Sequence, residues 1–216
     1  MRYRVGLGAV MATVIMTFGT PANLTAQLGV LGDIRVGGAF PTGDLAEVTG
    51  RGLSFGAGIA AQMVPRIALR TDLAASFLQG KDLDSGSAAP DVKMIHGVVG
   101  LEALVRASHF LPISTSLSGG WTRMTVEEFS LPDAGEETGT RPIEAEKSLH
   151  PTLVAGANIG LFGSRGSSPV ITLGAHAVRI FGDESKFADL QSLVPSADDL
   201  ANSTYFVARL GVRFGF

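Results

Sequence analysis

Over most of this chain apolar residues recur at every second position, the period of a strand with one apolar face. The last twelve residues show it plainly. Phe206, Ala208, Leu210, Val212, Phe214 and Phe216 fall on one face, and Tyr205, Val207, Arg209, Gly211, Arg213 and Gly215 on the other. Residues 66–78 repeat the pattern, with Ile67, Leu69, Thr71, Leu73, Ala75 and Phe77 against Ala68, Arg70, Asp72, Ala74 and Ser76. Six further segments read alike, at about residues 31–40, 53–64, 94–106, 113–126, 149–162 and 170–181. Eight strands are predicted. Each sets an apolar face against one of small, polar or charged residues, which suits lipid on one side and a wet or ion-paired interior on the other.

The connections sharpen this. Short ones follow the second, fourth and sixth strands, around Pro65, residues 108–112 and residues 163–168. Long ones follow the first, third, fifth and seventh, over 41–52, 80–93, 127–147 and 182–203. Short turns on one rim and long loops on the other belong to a closed up-and-down membrane barrel. An even strand number puts both termini on the short-turn, periplasmic rim.

Charge follows the same geometry. Of 20 acidic residues only Asp33, Asp72 and Glu102 fall in the predicted strands, all on the inward face; the others are assigned to the long loops, with the four lysines there or at loop edges. Arg35, Arg70, Arg106, Arg209 and Arg213 also face inward. An Arg or Lys facing lipid at mid-membrane costs roughly 2–4 kcal/mol, so such exclusion is required. Arg123 and Arg179 fall outward, but at the extracellular strand ends, where long side chains snorkel. Phe40, Phe55, Phe77, Trp121, Phe181 and Phe206 face outward near the long loops, and Phe214 and Phe216 at the other end, implying two aromatic girdles.

The N-terminus reads as a secretory signal peptide. Arg2 and Arg4 precede an uncharged apolar stretch from Val5 to Gly19, and a small-residue region ends at Ala26. The stretch falls short of the roughly 20 residues that span a bilayer. Residues 1–26 are therefore assigned to the leader and 27–216 to one domain. The chain has 28 glycines and no cysteine, which excludes a disulfide scaffold. Mean hydropathy is positive although no second long apolar run exists, as expected of strands that are only half apolar.

With these features the chain resembles the small eight-stranded bacterial outer-membrane β-barrels of the OmpA/OmpX type. The likeness spans residues 27–216 and rests on the architecture, on the terminal Arg213-Phe214-Gly215-Phe216, and on the loop-opening Gly38-Ala39-Phe40-Pro41-Thr42-Gly43-Asp44-Leu45. It implies an all-β, closed, antiparallel transmembrane barrel in the Gram-negative outer membrane, in contact with outer-membrane lipid and lipopolysaccharide. Phe216 then resembles the C-terminal signal read by the barrel-assembly machinery. No peptidoglycan-binding domain is read in the chain, and a monomer is expected. The family's roles range over membrane integrity, adhesion, lipid modification and small-solute passage, so membership does not fix function.

Candidate chemistry lies in three places. In the lumen, Asp33, Arg35, Arg70, Asp72, Glu102, Arg106, Arg209 and Arg213 are expected to form an ion-paired plug, since eight strands enclose a space just wide enough for side chains. The alternative is a narrow anion-preferring pore, because the lumen carries two more positive than negative groups. In the loops, Glu127, Glu128, Asp133, Glu136, Glu137, Glu144 and Glu146, with Asp183, Glu184, Asp189, Asp198 and Asp199, offer carboxylates that suit Ca²⁺ or Mg²⁺, though no spacing matches an EF-hand. Residues 187–193 could form a short amphipathic helix. At the start of the sixth strand, Ser148 and His150 with Glu144 and Glu146 nearby supply the ingredients of a lipid hydrolase, but Ser148 and His150 point inward. His96 and His176 read as lumen residues and His109 as a turn residue. No metal-ligand spacing, phosphate loop or basic nucleic-acid patch appears, and no cofactor or nucleic acid is expected. Gly56-Ala57-Gly58 lies within a strand, where it eases curvature and packing rather than binding nucleotide.

Overall fold

The computed structural model describes residues 29–82, 89–106, 111–132, 140–143, 145–162, 169–182 and 202–215. The signal-peptide assignment, Phe216, His109 and the proposed helix at 187–193 lie outside them.

Eight strands close a cylinder: β1 (Val30–Thr42), β2 (Thr49–Val64), β3 (Ile67–Gly80), β4 (Val92–Arg106), β5 (Ile113–Val126), β8 (Glu146–Phe162), β9 (Val170–Ile180) and β10 (Thr204–Gly215). Between β5 and β8 stand two short antiparallel strands, β6 (Phe129–Pro132) and β7 (Thr140–Ile143). Around the cylinder the order is β1-β10-β9-β8-β5-β4-β3-β2, each neighbour antiparallel. β10 closes on β1 with Asp33 opposite Arg213 and Phe40 opposite Phe206. Closure satisfies every strand edge, which a structure surrounded by hydrocarbon requires.

The alternation is realised on all eight strands. On β3, Arg70, Asp72, Ala74 and Ser76 are buried, while Ile67, Leu73 and Phe77 project outward at 41–46% exposure. The outer wall carries Ile34, Leu53, Ile59, Val99, Leu117, Leu153, Leu173 and Leu210, all exposed. Outside water such a surface would be an aggregation site; in lipid it is the contact face. Phe40, Phe55, Phe77, Trp121, Phe181, Phe206 and Phe214 are likewise exposed.

The rims differ from the sequence reading in three respects. The first long connection is not long. β1 continues through Pro41 to Thr42 and β2 begins at Thr49, leaving only 43–48, most of it the helix α1 (Asp44–Val48). Gly43 opens it at φ 58°, a left-handed backbone that favours glycine. α1 turns Leu45 and Val48 into the mouth, where both are fully buried. Thr49 Oγ1 donates to Leu45 O at 2.7 Å, and Lys81 grips α1 through its backbone N–H to Val48 O (3.0 Å) and its ammonium to Ala46 O. The connection 127–145 contains the β6–β7 hairpin, expected as loop. Strands also run longer at this rim, so Lys93, Glu146 and Lys147 lie within β4 and β8.

Candidate functional site

The interior is built in two storeys. The lower, toward the short turns, is charged. Arg70 is the hub: its Nε donates to Asp72 Oδ2 at 2.7 Å, Nη1 to Glu102 Oε2 at 2.7 Å, and Nη2 to Asp33 Oδ2 at 2.6 Å. Arg35 Nε lies 2.7 Å from Asp33 Oδ1, and its Nη2 meets Asp72 Oδ1. Arg213 donates to both Glu102 oxygens, at 2.7 and 3.2 Å. Three guanidinium groups thus meet three carboxylates and their charges cancel. Arg70 occupies the place between three acids where a cation is required, and no metal-binding cluster occurs among the described residues.

Glycines make this packing possible. A Cβ on Gly58 would overlap Asp72 Oδ1 and lie 2.6 Å from Arg70 Nη2; on Gly156 and Gly174 it would collide with His176 and Asn158. These inward glycines leave volume for large polar partners, the packing role expected of the Gly56-Ala57-Gly58 run.

One described member of the expected network stands apart from it. Arg209 is buried higher in the lumen, donates from Nη2 to Ser54 Oγ at 3.2 Å, and meets no carboxylate among the described residues. The side chain of Arg106 lies outside the described residues, its backbone pairing with Ile113. The described network is therefore neutral, with Arg209 as the one unbalanced lumen cation among the described residues.

Above the charged storey the lumen turns first neutral and then apolar. His176 Nε2 donates to Asn158 Oδ1 at 3.2 Å, the Tyr205 hydroxyl lies 3.3 Å from His96 Nδ1, Ser76 donates to Ser54 at 3.1 Å, and Thr152 to Thr122 at 2.7 Å. Leu78, Val92, Met94, Met124, Val126, Val178, Ile180 and Val207 then form one buried cluster under Leu45 and Val48 of α1. Met94, Val178, Ile180, Ser54, Ser76 and Thr122 are wholly inaccessible to water. Toward the turns a cavity of about 160 Å³ opens between Ser114, Asn158, Thr172 and Arg213. The upper plug escaped the sequence reading. Its signal was present, since at the loop-side ends of these strands the inward positions turn apolar.

Ser148 Oγ and His150 Nε2 lie 2.7 Å apart, the geometry of a nucleophile and its base. Both are buried in the lumen beneath this rim, away from the lipid face. Glu146 begins the same strand, and Glu144 lies outside the described residues.

No protein-family model matches the chain, and no curated protein matches it by sequence. Solved structures do match. Ail, the attachment invasion locus protein of Yersinia pestis, aligns with TM-score 0.51 at 10% identity, over 88% of this chain and 99% of that one. Neisserial surface protein A aligns with TM-score 0.50 at 10% identity, over 87% and 97%. At such identity the likeness carries the fold alone. Together with the closed sheet and its apolar outer wall, it makes the chain a small transmembrane β-barrel with the fold of the bacterial outer-membrane proteins.

Proposed function

We propose that the protein is a sealed surface barrel of the outer membrane, a rigid cylinder that holds loops outside the cell, and neither a pore nor a lipid hydrolase. The observation that carries this reading is the doubly stopped lumen: a neutral ion-paired layer on the turn side and a buried apolar plug under α1 on the loop side. A conducting path must wet the wall at every level, and Met94, Val178, Ser54 and Thr122 are out of reach of water. Ail and neisserial surface protein A bear names that speak of attachment and of the surface, and the same fold here supports a similar use. The extracellular partner is a loop-binding one, and the carboxylates at 127–146 and 183–199 are the chemistry on offer.

The test is planar-bilayer recording of the refolded protein. Silent bilayers are expected, and steady anion-selective steps would restore the pore. For the hydrolase, the Ser148–His150 contact is the supporting observation and burial the opposing one. His150→Ala is expected to leave outer-membrane lipid unmodified in pattern; a lost modification would assign the pair to catalysis.

A further inference from the structure

On the outer wall near the loop rim, β2, β3 and β4 enclose a groove of about 560 Å³. Its floor is aromatic: Phe55 and Phe77 meet edge to face with centroids 6.3 Å apart, beside Leu53. Arg51 and Lys93 stand on its two sides. The register sets Leu53, Phe77 and Lys93 in one row across the three strands, with Arg51 and Gln79 one outward-facing step nearer the loops. Lys93 Nζ lies 5.1 Å above the Phe77 ring and Arg51 Cζ 5.8 Å above that of Phe40. Among the described residues neither cation has a carboxylate within ion-pair distance. Asp91 and Glu127 close the upper lip, with Asp91 Oδ1 turned to the Gly80 N–H at 2.7 Å.

We propose that this groove holds one phosphorylated lipid of the outer leaflet, its phosphate between Arg51 and Lys93 and an acyl chain across Phe55 and Phe77. Charge complementarity selects the occupant. Two unpaired cations with an amide between them fit a phosphate, and the apolar floor directly beneath fits hydrocarbon, so a soluble anion would leave half the site unfilled. Among the described residues the cations are also one-sided. Arg51, Arg123, Lys147 and Arg179 are exposed and Lys93 half-buried on the wall at the loop end, whereas Met63, Val64, Ile67 and Val105 occupy it at the turn end, with Arg66 confined to the turn. A lipid-facing wall with a basic upper belt matches a bilayer whose outer leaflet bears the phosphates. The inference rests on the membrane placement alone, which heat-modifiable gel migration reports separately.

The experiment is native mass spectrometry of the refolded protein in detergent, titrated with lipid A, with chemically dephosphorylated lipid A, or with inorganic phosphate as competitor. The wild type is expected to retain one lipid A. R51Q/K93Q should bind it about tenfold more weakly, while K147Q/R179Q, which removes equal charge from β8 and β9 across the barrel, should bind as the wild type does. Dephosphorylated lipid should lose affinity on the wild type itself, a measurement that needs no variant. Equal binding by R51Q/K93Q, equal binding of the dephosphorylated lipid, or displacement by inorganic phosphate at matched concentration would each overturn the proposal.

Discussion

Arg70 and Arg209 are both buried arginines of one lumen, yet their surroundings give them opposite mutational signs. Arg70 touches three carboxylates. Removing it leaves three buried carboxylates to the two remaining guanidinium groups, Arg35 and Arg213, and breaking a buried pair in this way costs about 3–5 kcal/mol. Arg70→Met should lower the urea midpoint of refolding in vesicles accordingly. Among the described residues Arg209 has one hydroxyl partner and an unpartnered Nε. Arg209→Met relieves an uncompensated charge and should leave that midpoint unchanged or raised. If both substitutions cost the same, the division of the lumen into a closed network and an outlier is wrong. The inward charges were legible in the sequence because period two separates them cleanly from the lipid face. Which of them pair was not, because contacts across strands depend on register, and Arg209 sits next to Ser54 rather than beside an acid only once β10 is docked on β1.

At the scale of elements, α1 is the stopper. Gly43→Ala puts a side chain on a positive-φ backbone that glycine alone adopts readily and should cost about 1–3 kcal/mol, read in the same refolding titration. Leu45→Ser with Val48→Ser unmakes the buried contact without touching the wall. Those variants should stay folded by gel shift but admit small water-soluble thiol reagents to a cysteine placed at Met94, which the wild-type background excludes. Equal labelling in both would show that α1 does not close the mouth. Sequence reading missed this element for a physical reason. Pro41 has no N–H and reads as a turn, yet at a strand end that missing donor is tolerated, so β1 runs on to Thr42. The plug was hidden similarly. Where Val92, Met94, Val126, Val178 and Ile180 face inward, the positions between them hold Lys93, Thr125 and Arg179, so the polarity of the two faces is reversed there. The β6 and β7 strands are four residues each, too short for a period to show.

For the whole molecule, everything depends on the outer wall meeting hydrocarbon. Leu73→Lys places a charge on that wall in mid-strand and should cost about 2–4 kcal/mol, against a near-neutral Gln79→Lys at the rim. The most direct measurement exploits the absence of native cysteine. Spin labels are attached at single cysteines along β3 in vesicles, at Ala68, Leu69, Leu73, Ala74, Ala75 and Ser76, and collisions with dissolved oxygen and with a water-soluble nickel complex are recorded. Labels at Leu69, Leu73 and Ala75 should collide freely with oxygen and little with nickel, while those at Ala74 and Ser76 should meet neither. The opposite phase, or accessibility to nickel at every position, would contradict a lipid-facing wall around a sealed lumen.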